Sequence, residues 1–282
     1  MMTENNRIQQ QPFQTDHAEY TMIVRDEHIT YLKKVADHFK DDEENYLIVI
    51  EKMLYLLLDC LSTNSSKQFD FDPYIETQNY LEKMNRKSVE YFNAGNIEEA
   101  TKIITRAIDM LNQKNFSKLY INPLKLYESK ILTYNNLSCI YRKLGKLPLA
   151  SKIMSFALEL EEKLAHENYG NSNVSIISTY LNKSSILSQM KQHEKALETI
   201  NQALDKIQEA ESKPDSPEGE KKHIQNLKMS AFYSLAVELQ HLKQYDKAIL
   251  GFNKAREYAQ ELDKKQVILK IEKALLTIKQ KI

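Results

Sequence analysis

The sequence predicts an all-α solenoid of antiparallel helix pairs, and three observations support this. Only five Gly and six Pro occur in 282 residues, whereas sheets and mixed α/β folds use both residues in their turns. Four segments share one spacing of large and small residues, which fits one face of a helix followed by one face of a second. A content of 42% hydrophobic and 28% charged residues is enough for a large core. Disorder of the whole chain is therefore excluded.

The N-terminal end is expected to be a disordered tail over residues 1–25, because its first part is rich in Gln and poor in large apolar side chains. It has neither the apolar run of a secretory signal nor the Arg-rich character of a transit peptide. Residues 26–62 follow as a helical hairpin that is either a cap or a degenerate repeat. Its most apolar stretch, 46–61, contains three charges and predicts a core helix. We therefore expect a cytoplasmic protein without membrane insertion.

Four repeats are expected between residues 73 and 262. In the first helix of each, a large residue is followed four positions later by a small one, and three positions after that by another large one. The three positions are Met84, Ser88 and Tyr91 in the first copy, Tyr134, Ser138 and Tyr141 in the second, Tyr180, Ser184 and Leu187 in the third, and Phe232, Ala236 and Leu239 in the fourth.

The second helix of each repeat has an equally regular pattern of alanine, a large apolar residue and alanine. These positions are Ala100, Ile104 and Ala107, then Ala150, Met154 and Ala157, then Ala196, Ile200 and Ala203, and last Ala248, Phe252 and Ala255. Small residues are needed where two helices cross closely. Each copy therefore predicts a helical hairpin. Residues 264–282 form one more amphipathic pattern, which we interpret as a C-terminal capping helix.

The turn inside each hairpin is the least regular part. Gly95 and Gly145 stand where a helix can end in a left-handed residue, whereas the third and fourth copies have Lys191 and Lys243 in that region. The last two turns are therefore expected to be less strongly capped.

The pattern resembles the tetratricopeptide repeat (TPR) family. The second copy carries the best match, with the fourth nearly as good; its matching residues are Tyr134, Leu137, Ser138, Tyr141, Gly145, Ala150, Met154 and Ala157. The family repeats after about 34 residues, but the alanines here recur after 50, 46 and 52. Longer helices would absorb much of the surplus, and such elongated repeats resemble kinesin-light-chain-like members.

The resemblance implies a concave groove lined by the first helix of each pair. The exposed groove positions would include Asn85, Arg86, Asn135, Asn136, Arg142, Asn182, Tyr233 and Ser234. Asn136 and Asn182 stand at one recurring position, where an amide can bond to the backbone of an extended peptide. Arg86 and Arg142 would favour an acidic partner. The alternatives are that Asn is simply common in this chain, that Arg142 complements a helix dipole, and that the tyrosines are core residues.

Signals of other functions are weak. The 39 basic and 39 acidic residues balance, which argues against nucleic-acid binding. The two cysteines and seven scattered histidines form no ligand pattern for a metal, and no phosphate-binding loop or nucleophile motif is present. Cys139 has no base near it in sequence, and Glu161 with Glu162 is typical of a solvated helix face. We therefore expect no enzyme activity, no metal and no cofactor.

Three functions stay open. The first is a scaffold that docks a peptide or helix of a larger multi-protein complex in the groove. The second is a structural subunit held by its outer faces and termini in a permanent complex. Residue usage rich in Lys, Asn, Ile and Tyr suggests by analogy a cytoskeletal or ciliary setting for either. The third is a helical enzyme whose site is assembled from residues distant in sequence.

Overall fold

The regular structure of the chain is helical throughout the residues that the computed structural model describes, which are 17–62, 69–119, 123–166, 173–212 and 218–281. Eleven α-helices and one short 3-10 helix lie within them. They are α1 His17–His38, α2 Glu43–Ser62, α3 Pro73–Asn93, α4 Ile97–Leu111, the 3-10 helix Phe116–Leu119, α5 Pro123–Lys143, α6 Leu147–His166, α7 Asn173–Gln189, α8 His193–Glu211, α9 Glu218–His241, α10 Tyr245–Glu261 and α11 Lys265–Lys279. The predicted all-α class is confirmed.

The chain divides into two compact units, 1–80 with 113–121, and 81–112 with 122–282. In the first unit, α1 packs on α2, and α2 also contacts the 3-10 helix. Its core includes Ile29, Met53 and Phe116, all buried. Tyr46 donates a hydrogen bond to Glu76 at 3.2 Å, and burial together with this carboxylate raises the pKa of the Tyr46 phenol. These contacts hold the α1–α2 hairpin against the start of α3.

The second unit contains the four repeats from residue 81 of α3 onward, as the pairs α3–α4, α5–α6, α7–α8 and α9–α10, followed by α11. All the small positions of the sequence pattern are buried. They are Ser88, Ser138, Ser184 and Ala236 on the first helices, and Ala100, Ala107, Ala150, Ala157, Ala196, Ala203, Ala248 and Ala255 on the second. In the first two repeats the serine also bonds across the hairpin, Ser88 Oγ to Ala100 O at 3.0 Å and Ser138 Oγ to Ala150 O at 2.8 Å. The small side chain thus permits the close crossing and adds a bond to it.

Long helices account for much of the surplus over a compact repeat. The first and second helices of the second repeat have 21 and 20 residues, and α9 has 24. The predicted tail falls partly outside the described residues, since α1 begins at His17 and residues 1–16 are not among them. Residues 17–25 are therefore helical. No described helix is both long and apolar enough to cross a membrane, and the proposed domain limits at 25, 62, 73 and 262 stay predictions.

All four hairpin turns have the same backbone geometry, whatever their sequence. The second residue after the first helix is left-handed, with φ of 82° at Gly95, 71° at Gly145 and 59° at both Lys191 and Lys243. The two bonds of a Schellman motif recur, for example from Gln192 N to Leu187 O and from Lys191 N to Ser188 O. The last two turns are therefore capped like the first two, with lysine in a conformation that favours glycine.

Lys191→Gly with Lys243→Gly is expected to stabilise the protein by about 0.5 kcal/mol per site, because relief of the left-handed strain exceeds the extra entropy of glycine in the unfolded chain. Chemical denaturation would measure the gain. The matched control is Lys195→Gly, at an exposed position inside α8, where glycine should instead destabilise by roughly 1 kcal/mol. A loss of stability in the double variant would contradict the strain argument.

Candidate binding groove

The first helices of successive repeats contact one another directly. Contacts join α5 to α7 and α7 to α9, and side-chain hydrogen bonds join α3 to α5 and α5 to α7. We call the surface formed by residue 81 onward of α3, together with α5, α7 and α9, the first-helix row. It carries all eight residues that the sequence predicts for a groove, and the structure divides them into two groups.

The first group consists of Asn85 and Asn135, whose side chains hold neighbouring helices together by hydrogen bonds. Asn85 is only 4% exposed, so the exposure predicted for it is not found. Its Nδ2 donates to Leu81 O at 2.9 Å and to Thr133 Oγ1 at 3.0 Å, while its Oδ1 accepts from Asn136 Nδ2 at 2.7 Å. The amide is saturated by protein atoms because α3 and α5 approach closely at this point.

Asn135 repeats the same arrangement one interface later. Its Nδ2 donates to Thr179 Oγ1 on α7 at 3.0 Å, as Asn85 does to Thr133 on α5. Its Oδ1 is buried and accepts no hydrogen bond from the described residues. At the next interface the equivalent pair is apolar, with Leu181 packed in the cluster that contains Ala231. One asparagine–threonine pair thus joins α3 to α5, and a second joins α5 to α7. Between α7 and α9 the equivalent pair is apolar.

The second group keeps accessible surface. Arg86 is exposed and lies 3.4 Å from Glu90. Arg142 donates to Ser185 on α7 at 2.7 Å and is half-buried. Asn136, Asn182, Tyr233 and Ser234 are half-buried. No described residue bonds to the side chain of Asn182, and Tyr233 packs edge-on against Phe252 with ring centroids 5.8 Å apart.

Glu161 is a site residue that sequence reasoning missed, because it was interpreted as part of a solvated face. It is only 6% exposed, and its Oε1 accepts from Ser175 Oγ and Thr179 Oγ1, each at 2.9 Å. Burial raises the pKa of this carboxyl, and the two hydroxyl bonds oppose that shift. The carboxyl lines a cavity of about 310 Å³ between α5, α6 and α7. Only the pairing of α6 with α7 reveals its burial.

The raised pKa of Glu161 has a consequence for stability. Its folded-state pKa lies above the unfolded value, so the stabilising contribution is complete at low pH and is lost as pH rises from the ordinary glutamate pKa through the raised one. We expect Glu161→Gln, which keeps an acceptor for both hydroxyls, to have a higher Tm than the parent above that window and a similar Tm below it. Thermal melts at pH 4 to 8 would show this. Glu159→Gln, at an exposed position of the same helix, should melt in parallel with the parent, and parallel curves for Glu161→Gln would contradict the assignment.

Two histidines that look dispersed in the sequence meet in the fold. His193 Nδ1 lies 2.7 Å from Glu238 Oε2, and the Glu238 side chain is buried. The rings of His193 and His241 stack with centroids 4.3 Å apart. Within the described residues, no group of three or more His, Cys, Asp or Glu side chains is placed to hold a metal ion.

Cys139 lies on the first-helix row and is half-buried. Burial raises the pKa of its thiol, with Arg142 acting in the opposite direction. The thiolate, which is the nucleophilic form, is therefore disfavoured here. This agrees with a packing role for the side chain.

Part of the third repeat matches the model of a known family. The tetratricopeptide repeat model matches residues 177–205, which span parts of α7 and α8. No curated protein sequence matches the chain.

Several solved structures are similar to this chain, and the first two of the following share its fold with TM-scores above 0.5. BtubC (BKLC) from P. vanneervenii is 16% identical over 88% of this chain and 92% of its own, with a TM-score of 0.53. The apo form of RapI is 13% identical over 86% and 74%, with a TM-score of 0.53. A putative kinesin light chain from Podosopora anserina with TPR-like repeats is 13% identical over 84% and 98%, with a TM-score of 0.47. The repeat spacing and the buried small positions agree with the tetratricopeptide repeat match at residues 177–205, and the same helix-pair pattern recurs in all four repeats.

Proposed function

We propose that this protein is a non-enzymatic scaffold that docks a peptide or helical segment of a protein partner along the first-helix row. The observation that carries the proposal is the row of half-buried polar side chains on successive first helices. Asn136, Asn182 and Ser234 offer amide and hydroxyl groups to a backbone, and Tyr233 offers an amphipathic ring. Asn182 is the strongest member because no described residue uses its amide.

Two arginine side chains give the groove a preference for an acidic partner. Arg86 and Arg142 lie on neighbouring first helices, and the guanidinium of Arg142 has a neutral partner in Ser185 rather than a carboxylate. Arginine forms its strongest hydrogen bonds with carboxylates. An acidic segment of the partner is therefore favoured. Its docking should respond to salt only modestly, because two charges alone are involved.

Asn136→Ala with Asn182→Ala is expected to weaken partner binding several-fold, because each lost neutral bond contributes about 0.5 to 1.5 kcal/mol. The partner would first be identified by affinity purification and mass spectrometry, and its binding to each variant then measured with purified proteins. Asn201→Ala makes the same change at an exposed position of α8 and should bind normally.

A control for protein stability is needed, because Asn136 also bonds to Asn85 and its loss could weaken the fold. Asn85→Ala removes an acceptor from inside the row and should lower the Tm more than it lowers affinity. Unchanged partner recovery by the Asn136 and Asn182 double variant would remove the groove mechanism.

A second function has its own supporting observation. Leu250 on α10, and Leu269 with Leu276 on α11, are 64%, 65% and 61% exposed. The amphipathic pattern of residues 264–282 predicts a polar outer face for α11, but this face carries Leu269 and Leu276, seven residues apart. These side chains favour a structural subunit held in a permanent complex by its C-terminal helices. In that case Leu269→Lys with Leu276→Lys would release the complex, and the groove double variant would remain bound.

A cytoplasmic location, and association with a cilium or the cytoskeleton, stay predictions for either function. So does membership of a larger multi-protein complex. Imaging of the tagged full chain would test the location directly.

A further inference from the structure

The cavity beside Glu161 has a chemical asymmetry that no part of the groove function uses. Its polar lining consists of acceptors and hydroxyls: the carboxylates of Glu161 and Glu128, the amide of Asn135 and the hydroxyl of Ser175. The remaining lining is apolar, and consists of Leu124, Ile131, Leu132, Leu164, Ala165 and Ile176. None of the described residues that line it is basic. The cavity therefore joins a hydrocarbon wall to a concentration of negative charge.

Glu161 carries most of that charge in the interior. Both of its hydroxyl bonds end on Oε1, and no described residue donates to Oε2. Throughout the described residues it has no cationic partner, whereas Glu128 at the same cavity pairs with Lys125 at 2.7 Å. Asn135 adds a buried Oδ1 that also accepts nothing from the described residues. Glu161 and Asn135, two residues that line one cavity, thus each have an acceptor atom that no described residue uses.

Such an arrangement is unfavourable unless something occupies it. The Glu161 carboxylate loses hydration on burial and regains only the two hydroxyl bonds at Oε1, with no opposite charge beside it among the described residues. Groups that reduce stability in this way are typical of binding sites, where a ligand supplies the missing interaction. A volume of about 310 Å³ lies at the lower end of the range of pockets that bind small ligands.

We propose that this cavity binds an alkylammonium group, with the ammonium at Glu161 Oε2 and the aliphatic stem against the leucine and isoleucine walls. A lysine side chain of a polypeptide and a free diamine or polyamine share this chemistry. The inference does not rest on the groove function, because the cavity would bind a small amine whether or not a peptide lies on the first-helix row.

Other ligand classes fit less well. A guanidinium prefers a carboxylate with both oxygens available, but Oε1 already accepts two hydroxyl bonds. A quaternary ammonium prefers an aromatic cage, and none of the described residues that line this cavity is aromatic. A metal ion needs several ligands, and no such group exists among the described residues. A compact ammonium needs only one free carboxylate oxygen and nearby acceptors.

Calorimetry and ligand-observed NMR on the full chain would test the site with three probes. These are Nα-acetyl-lysine N-methylamide, 1,5-diaminopentane, and the neutral isostere Nα-acetyl-norleucine N-methylamide. At least one of the two amines should bind saturably, and the norleucine compound should bind about tenfold or more weakly than the lysine compound, because it lacks the charge-assisted bond. Tighter binding of the lysine compound would identify a polypeptide side chain as the source, and tighter binding of the diamine would identify a free amine.

Variants separate the proposed site from general surface attraction. Glu161→Gln should weaken amine binding about tenfold or more, while Glu159→Gln on the same helix should bind as the parent does. Because Glu161→Gln keeps the acceptor for Ser175 and Thr179, it should fold, and a melt of the same sample would verify this. The bound amine should also raise the Tm of the parent and leave that of Glu161→Gln unchanged.

Three results would overturn the proposal. They are the absence of saturable binding of either amine up to about 10 mM, equal binding of the norleucine compound, and equal binding by a folded Glu161→Gln variant. Failure of the groove variants to affect a protein partner would leave these measurements unaltered, so the two proposals fail separately.

Discussion

Replacement of His193 by alanine is expected to destabilise the protein by about 3 kcal/mol, because it leaves the carboxylate of Glu238 buried without a partner. His193 Nδ1 lies 2.7 Å from Glu238 Oε2, and Glu238 is among the buried charged residues of the second unit. An ionised carboxylate only accepts hydrogen bonds, so Nδ1 of His193 carries the proton of this bond. The loss would be measured by chemical denaturation near neutral pH.

The neighbouring histidine provides the matched control. His241 stacks on His193 with nearly parallel rings, at an interplanar angle of 12°, but it is exposed. His241→Ala should therefore cost about 1 kcal/mol or less. Adding Glu238→Met to His193→Ala should recover part of the loss, since removal of both partners is far less costly than removal of one. Additive losses in the double variant would show that the pair is not the cause.

The helix pairs could be predicted from the sequence because their determinants are local. Ala100 follows Ser88 by twelve residues, and that spacing alone brings a small residue on one helix opposite a small residue on the next. The capping of the last two turns was predicted wrongly, because the Schellman geometry does not depend on glycine here. It persists at Lys191 and Lys243, where the sequence lacks glycine.

The groove could be predicted only in part, because the exposure and hydrogen bonding of each side chain depend on a partner far along the chain. Asn85 stands at a groove position by register, but Thr133, which occupies its amide, is 48 residues away. Glu161 looks like half of a solvated acidic pair until Ser175 and Thr179 of the following helix are placed against it. In both cases the rotation of one helix against its neighbour, rather than the residue type, decides between exposure and burial.

Replacement of Ala150 by leucine is expected to destabilise the protein by about 1 to 3 kcal/mol, because the site has no room for the added carbons. Ala150 is fully buried in a cluster with Met154 and Ile186. Its carbonyl oxygen accepts the Ser138 hydroxyl at 2.8 Å, which holds α5 and α6 close together at this point. A leucine there must either push the two helices apart or adopt a strained rotamer. Thermal and chemical denaturation would measure the loss.

Because each repeat contacts mainly its neighbours, the damage from Ala150→Leu should spread from the second repeat rather than remain at one residue. Hydrogen exchange should therefore increase in α5 to α7 more than in α10 and α11. Lys152→Leu makes the same residue at an exposed position of α6 and should leave the stability within about 0.5 kcal/mol of the parent. If Ala150→Leu melted like the parent while Lys152→Leu did not, the assigned register of the second repeat would be wrong. Position 150, rather than position 152, would then face solvent.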